Sequence, residues 1–293
     1  MILATSVVDG HELTDFMVEM LQPLITDPDD FRLVIVDNNS VEPYLEKNYE
    51  HSKFKVDVMR NSSNTGFYFP LIQLHGKYQD ELIGLIHNDL ALYEVGWDVR
   101  MANYFKADPL LGLVGLTGSN EIDSLGGRGG GTMCFFRGST VNIPNLGQVK
   151  GQSQDAGARI TDLRPSACLD SLFMMFRRDV IPSLMTDFDH WKDITLAHFY
   201  DRIWPIRTIE AGYHVATMGV ECDHLGGMTC VANTRYRDDC IKWLDSRGLT
   251  YENPETEMYL IAERRYLGEY RESKHFIPCK VDANYGIQHL YKA

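Results

Sequence analysis

Apolar residues in the first half of the chain fall into short runs alternating with helical stripes. Residues 2–8 form a compact apolar run and predict a strand. Within residues 12–24, Leu13, Phe16, Met17, Met20, Leu21 and Leu24 recur at helical spacing, the mark of one buried helix face. Residues 31–36, 53–59 and 82–86 predict three further strands, with a helix over 69–78 before the last. A helix over 97–105 is closed by Asp108-Pro109, and residues 113–116 return to the sheet. This alternation predicts βαβ units around a largely parallel sheet, an α/β fold.

From residue 117 to 164 the periodicity is lost and glycine becomes dense, most of all over residues 126–131. The pattern predicts a long excursion with hairpins, residues 132–136 pairing with a later segment. It is either a binding loop or a surface insertion. Regular structure resumes over 166–178, followed by a helix over 195–211 around Pro205 and a strand over 213–218. The stretch from 233 onward is more charged and predicts helices at 237–246 and 255–270. The organisation expected is one core domain, residues 1–230, with a helical extension, residues 231–293.

The chain has 293 residues, of which 44% are hydrophobic and 24% charged. That supplies a sizeable core. No apolar run approaches the roughly 20 residues of a membrane span, so no integral membrane segment is expected. The first residues lack a basic region and a small-residue cleavage site, so they read as the first strand of a cytoplasmic protein. A net charge of −13 disfavours nucleic acid and anionic membrane as partners. The six cysteines are scattered, with no CxxC, and read as reduced thiols.

Candidate chemistry concentrates at two strand ends. Leu82–Ile86 runs into His87-Asn88-Asp89. On an extended backbone residues i and i+2 share a side, so His87 and Asp89 would face one site at the carboxyl end of a strand, where open α/β sheets bind ligands. Val34-Ile35-Val36 runs in the same way into Asp37-Asn38-Asn39-Ser40. Each carboxylate has a plainer reading as a turn or cap residue.

Taken in order, these segments resemble family 2 glycosyltransferases with the GT-A fold, in a rhamnosyltransferase-like branch. The likeness runs from about Ile2 to Gly227. It rests on Val36-Asp37-Asn38-Asn39-Ser40, Asn61-Ser62-Ser63-Asn64-Thr65-Gly66-Phe67, His87-Asn88-Asp89 at the DxD position, Asp170 through Arg178, and Phe199-Tyr200-Asp201 with Glu210-Ala211-Gly212-Tyr213 and His224-Leu225-Gly226-Gly227. His87 replaces the first Asp of DxD, and Tyr200-Asp201 replaces the family's acidic pair.

The resemblance implies a GT-A-type, Rossmann-like mixed sheet flanked by helices. It also implies a metal-dependent inverting transferase that moves a sugar from a nucleotide-diphosphate donor, UDP- or GDP-linked, to a glycan hydroxyl. Asp89 would hold Mn²⁺ or Mg²⁺, with His224 (or its neighbour Asp223) and His87 as further ligands. His87 could instead contact ribose or phosphate, beside Asn88. Thr5, Ser6, Val7, Asp37, Asn64 and Gly66 would line the nucleotide pocket. Asp201 is the first choice for general base and Asp170 the second. Trp191 and Trp204 could stack on a sugar or fill the core, and the glycine-rich loop around Arg128 could close over the diphosphate. Two other classes remain open: a nucleotidyltransferase acting on sugar phosphates, and a non-catalytic glycan-binding module on a degenerate transferase fold.

Overall fold

A computed structural model describes residues 1–122, 128–185, 198–226 and 234–272. Trp191, Gly227 and the glycine-rich segment 123–127 lie outside them. The chain begins with β1 (Ile2–Val7), α1 (His11–Leu21), β2 (Arg32–Asp37), β3 (Lys55–Arg60), α2 (Tyr68–Lys77), β4 (Leu82–Ile86), β5 (Leu90–Leu92), α3 (Trp97–Ala107) and β6 (Leu111–Gly115). There follow β7 (Gly118–Ile122), β8 (Arg128–Cys134), β9 (Thr140–Ile143), β10 (Gly147–Lys150), β11 (Ala158–Arg159), β12 (Leu163–Pro165), β13 (Cys168–Leu169), β14 (Phe173–Arg177) and a short α4 (Ile181–Leu184). The last described elements are α5 (Tyr200–Glu210), β15 (His214–Met218), β16 (Cys222–His224), α6 (Thr234–Asp245) and α7 (Pro254–Glu272).

Eight strands form the central sheet in the order β12-β15-β6-β14-β4-β1-β2-β3. β1 pairs in parallel with both β2 and β4, and β2 with β3. The expectation of a largely parallel sheet is corrected here: β14 runs antiparallel between β4 and β6, and β12 antiparallel to β15. The sheet is mixed, as the GT-A resemblance implies.

Alternation along each strand divides the core between two faces. Leu3, Leu33, Ile35, Phe173 and Met175 lie in one buried cluster with Met17 of α1 and Trp97 and Met101 of α3. Ile2, Ala4, Val34, Val36, Met174 and Phe176 lie in the other, with Leu71 and Leu74 of α2 and Trp204 of α5. Each such aliphatic side chain stabilises the fold by about 1.5–3 kcal/mol relative to exposure. Trp204 has no exposed surface, so it fills the core and does not stack on a sugar. Ala262 and Tyr266 of α7 join the second cluster, while α6 and α7 share a small core of their own around Cys240, Leu244 and Met258.

The excursion after β6 is built from hairpins. β7 and β8 pair antiparallel, as do β9 and β10. The partner of residues 132–136 was expected downstream; β8 pairs upstream with β7 and downstream, in parallel, with β11. A separate two-strand ribbon joins β5 to β16 and sets His224 opposite Leu90.

Candidate functional site

His87 and Asp89 come together by a different local route from the one expected. β4 ends at Ile86, and the chain turns before β5, with the Leu90 N–H donating to the His87 carbonyl at 3.3 Å. The two side chains are therefore gathered by a turn between strands, not by an extended strand end. The turn is tied down at both ends. The His87 N–H donates to the Leu172 carbonyl, and the Leu225 N–H donates to the Asp89 carbonyl, both at 2.9 Å. The second bond brings the end of β16 alongside.

This places His224 against Asp89. Its Nε2 is 3.6 Å from Asp89 Oδ1, and His87 Nδ1 is 3.8 Å from the same oxygen. Neither separation is a hydrogen bond. Among the described residues, buried Asp89 Oδ1 has no hydrogen-bond partner, and neither has His224 Nδ1. One ligand atom from each of the three residues falls within 4.8 Å of the others. A buried carboxylate oxygen without a donor is costly, and two imidazoles converging on it match the donor set of a first-row divalent cation. The residues present therefore fit a metal.

The electrostatics point the same way. Burial pushes the Asp89 carboxyl up, but the His224 and His87 imidazoles outweigh it and hold the group below its usual range. Burial lowers His87 and, with His224, outweighs the opposing pull of Asp89 and Asp170, so its ring is neutral near pH 7. Burial alone would lower His224, yet Asp89 and Asp170 raise it above its usual value. Asp170 thus acts on both imidazoles; its Oδ1 accepts the Leu172 N–H at 3.2 Å in the turn before β14. Asp201 lies in the first turn of α5, directly after Tyr200. Asp223, the substitute for His224, is committed elsewhere: adjacent strand residues point to opposite sides, and its carboxylate accepts from the Tyr93 hydroxyl at 2.9 Å and the Ser139 N–H at 3.1 Å.

The residues expected around the nucleotide lie at the same edge of the sheet but are largely occupied by one another. The Asp37 carboxylate, with no exposed surface, accepts the Ser40 N–H at 2.7 Å and the Tyr44 N–H at 3.3 Å and pairs with Arg60. The turn reading of Asp37 describes this geometry. Asn38 donates to the Ser6 hydroxyl at 2.7 Å and to the Gly66 carbonyl at 3.0 Å. Asn64 Oδ1 accepts the Gly66 N–H at 3.0 Å. Gly66 has φ +66°, a conformation that favours glycine. Asn88 turns toward α1 and donates to the Thr14 hydroxyl at 3.2 Å, away from the histidines. Val7 is a core residue. Thr5 keeps a buried hydroxyl without a partner among the described residues.

Three contributors escaped sequence reasoning. Tyr200 reaches His87 Nε2 with its hydroxyl at 3.4 Å; its signal was the departure from the acidic pair of the family the sequence resembles. Phe67 lies against His87, with centroids 5.2 Å apart. Finally, β10 and its following loop line a cleft of about 470 Å³ with Lys150, Gly151 and Gln152, beside His224, Leu225 and Gly226. The Gln152 N–H donates to the His224 carbonyl at 2.9 Å, which fixes this rim to β16.

The sheet order, the excursion after β6 and the site at the carboxyl edge define a GT-A-type α/β fold. No protein-family model matches the chain, and no curated protein matches it in sequence. Solved structures do. The chain is similar to Staphylococcus aureus TarS residues 1–349 at 11% identity, covering 94% of this chain and 73% of that one, with a TM-score of 0.50. It is similar to GalNAc-T7, solved with UDP, GalNAc and Mn²⁺, at 11% identity over 76% of this chain and 42% of that one, with a TM-score of 0.51. A third likeness is to the mannosyltransferase PcManGT of Pyrobaculum calidifontis, solved with GDP-Man and Mn²⁺. It has 11% identity, covers 91% and 69% of the two chains, and has a TM-score of 0.49. The likenesses to TarS and GalNAc-T7, at TM-scores of 0.50 and 0.51, establish the fold alone.

Proposed function

We propose that this protein is a metal-dependent glycosyltransferase that transfers a sugar, with inversion, from a nucleotide-diphosphate donor to a hydroxyl of a glycan acceptor. The observation that carries the reading is Asp89 Oδ1: buried, without a hydrogen bond among the described residues, and faced by His87 and His224 at the carboxyl edge of a GT-A-type sheet. Asp89, His87 and His224 would hold the cation, and two nitrogens beside one carboxylate favour Mn²⁺ over Mg²⁺. When bound, it would neutralise negative charge on the departing diphosphate. The GalNAc-T7 structure holds UDP and Mn²⁺ together, which supports the same pairing here.

The protein's own residues would do the rest. A carboxylate opposite the leaving group must take the acceptor's proton as its oxygen attacks the anomeric carbon. Asp201 is assigned that role, and Asp170, which acts on both imidazoles, the orientation of donor hydroxyls. The cleft bounded by Lys150, Gln152 and His224 is the proposed approach to the site. In the Ser6, Asn38 and Gly66 group, polar atoms at the strand edge would shape the wall beside the nucleotide.

A thermal-shift panel of UDP- and GDP-sugars, with and without Mn²⁺, tests the reading. A donor at 100 times its dissociation constant stabilises by about 2.7 kcal/mol, several degrees of midpoint for a chain of this size. The expected result is a rise that requires Mn²⁺, followed by turnover that Asp201→Asn removes while donor binding persists. A rise with nucleoside triphosphates alone would replace transfer of a sugar with transfer of a nucleotidyl group.

A further inference from the structure

The motif Tyr200-Asp201 replaces an acidic pair, and only its aspartate enters the reaction described above. Tyr200 is buried, and its ring packs on Trp204 with centroids 4.8 Å apart and on Phe67 at 5.6 Å and 22°. Phe67 also covers the His87 ring at 5.2 Å and 31°. Phenol and imidazole thus both lie against the Phe67 ring. A buried tyrosine hydroxyl needs a polar partner, and this one lies 3.4 Å from His87 Nε2.

The backbone that delivers Tyr200 is strained. Phe199, immediately before it, has φ +66°, a left-handed conformation that a bulky side chain avoids. It is held there by Tyr266, stacked at 5.2 Å and 12°, and by Tyr259 at 5.2 Å. Strain of this kind persists where the surroundings over-determine it, and it clusters at functional sites.

We propose that Tyr200 is a positioning residue for the cation site: its oxygen accepts the Nε2–H of His87 and fixes the tautomer whose unprotonated Nδ1 faces Asp89. The opposite tautomer would put a hydrogen on Nδ1 and aim it at Asp89 Oδ1. At 3.8 Å that contact is too long to repay the proton, and it would leave no lone pair for a cation. A ligating imidazole ordinarily donates its far N–H to an oxygen that sets ring and tautomer; Tyr200 supplies that oxygen for His87. The inference rests on reading His87, Asp89 and His224 as a metal site.

The test is Mn²⁺ affinity, followed by the electron paramagnetic resonance of the free ion, in the wild type, Tyr200→Phe, His87→Ala and the double variant. Tyr200→Phe is expected to weaken Mn²⁺ binding about 10- to 100-fold. The same change in the His87→Ala background is expected to do nothing, because a residue acting only through His87 has no effect without it. Should Tyr200→Phe fail to fold, long-range ¹H–¹⁵N correlation on the wild type reads the His87 tautomer directly, with the proton expected on Nε2. A proton on Nδ1 overturns the proposal. So does equal Mn²⁺ affinity in the wild type and Tyr200→Phe, or an undiminished Tyr200→Phe effect without His87. A wild type that binds no Mn²⁺ at all overturns the metal reading, and this proposal with it.

Discussion

Two acidic turns stand at the same edge of the sheet, one after β2 and one after β4, with only β1 between those strands. In sequence they look alike: an apolar run, then a short polar segment holding an aspartate. In the structure they have opposite character. Asp37 is saturated by Ser40, Tyr44 and Arg60, and neighbouring Asn38 is locked to Ser6, Gly66 and Asn61. Asp89 is also buried and, among the described residues, has an oxygen with no hydrogen-bond donor, facing two imidazoles. A buried polar group that the protein satisfies is architecture. A buried carboxylate oxygen that faces two imidazoles without a hydrogen bond has instead the surroundings of a cation ligand.

This contrast can be broken by mutation. The largest effect expected is on ligand binding: Asp89→Ala abolishes Mn²⁺-dependent donor binding and turnover, yet lowers the metal-free melting midpoint only slightly, because the cost of burying the carboxylate offsets much of its attraction to the two imidazoles. Calorimetry with and without EDTA checks both halves. Asp37→Ala should do the reverse. It strands two backbone N–H groups and the Arg60 guanidinium, costs about 3 kcal/mol, and lowers the midpoint by several degrees whether or not metal is present. Asn61→Ala removes donors to Asn38 and Thr65 and an exchange with Gln73. About 1–2 kcal/mol of stability is expected to go with it, read from the urea midpoint.

The smallest effect concerns a charge pair far from either turn. Burial raises the Asp57 carboxyl, but bonds from Arg32 at 2.6 Å and the Tyr78 hydroxyl at 2.8 Å outweigh it and hold the group below its usual range. The folded pKa is thus below the unfolded one, near 3.9. The pair's contribution is present above that value and is lost as pH falls through the depressed folded pKa. Since Arg32 is partly exposed, under about 1 kcal/mol is at stake. Asp57→Asn should be slightly less stable than wild type at pH 7, with the difference shrinking as pH falls below the unfolded value, measured by denaturant titration.

The strands were legible because apolar runs of five or six residues have few other uses. β1, β2 and β4 stand within a residue or two of their predicted places, and so do α2 and α3. Strand direction was not legible. β14 is apolar on both faces, and a continuous apolar run carries no sign of whether it lies parallel or antiparallel. The ribbon of β5 and β16 was also invisible, since three residues hold no period. The same ribbon brings His224 to Asp89, so the sequence could nominate the residues of the site but not their meeting. Nor could it separate Asp37 from Asp89, because the difference lies in partners that come from other strands: Arg60 from β3, His224 from β16.

The central claim is that Asp89, His87 and His224 hold a divalent cation through which the nucleotide is bound. Isothermal titration of UDP and GDP into the wild-type protein, once with Mn²⁺ and once with EDTA, tests it most directly, with Asp89→Ala as the partner sample. The account predicts heat of binding for one of the nucleotides with Mn²⁺, none with EDTA and none for the variant. Equal binding in EDTA, or binding by Asp89→Ala that matches the wild type, would contradict it.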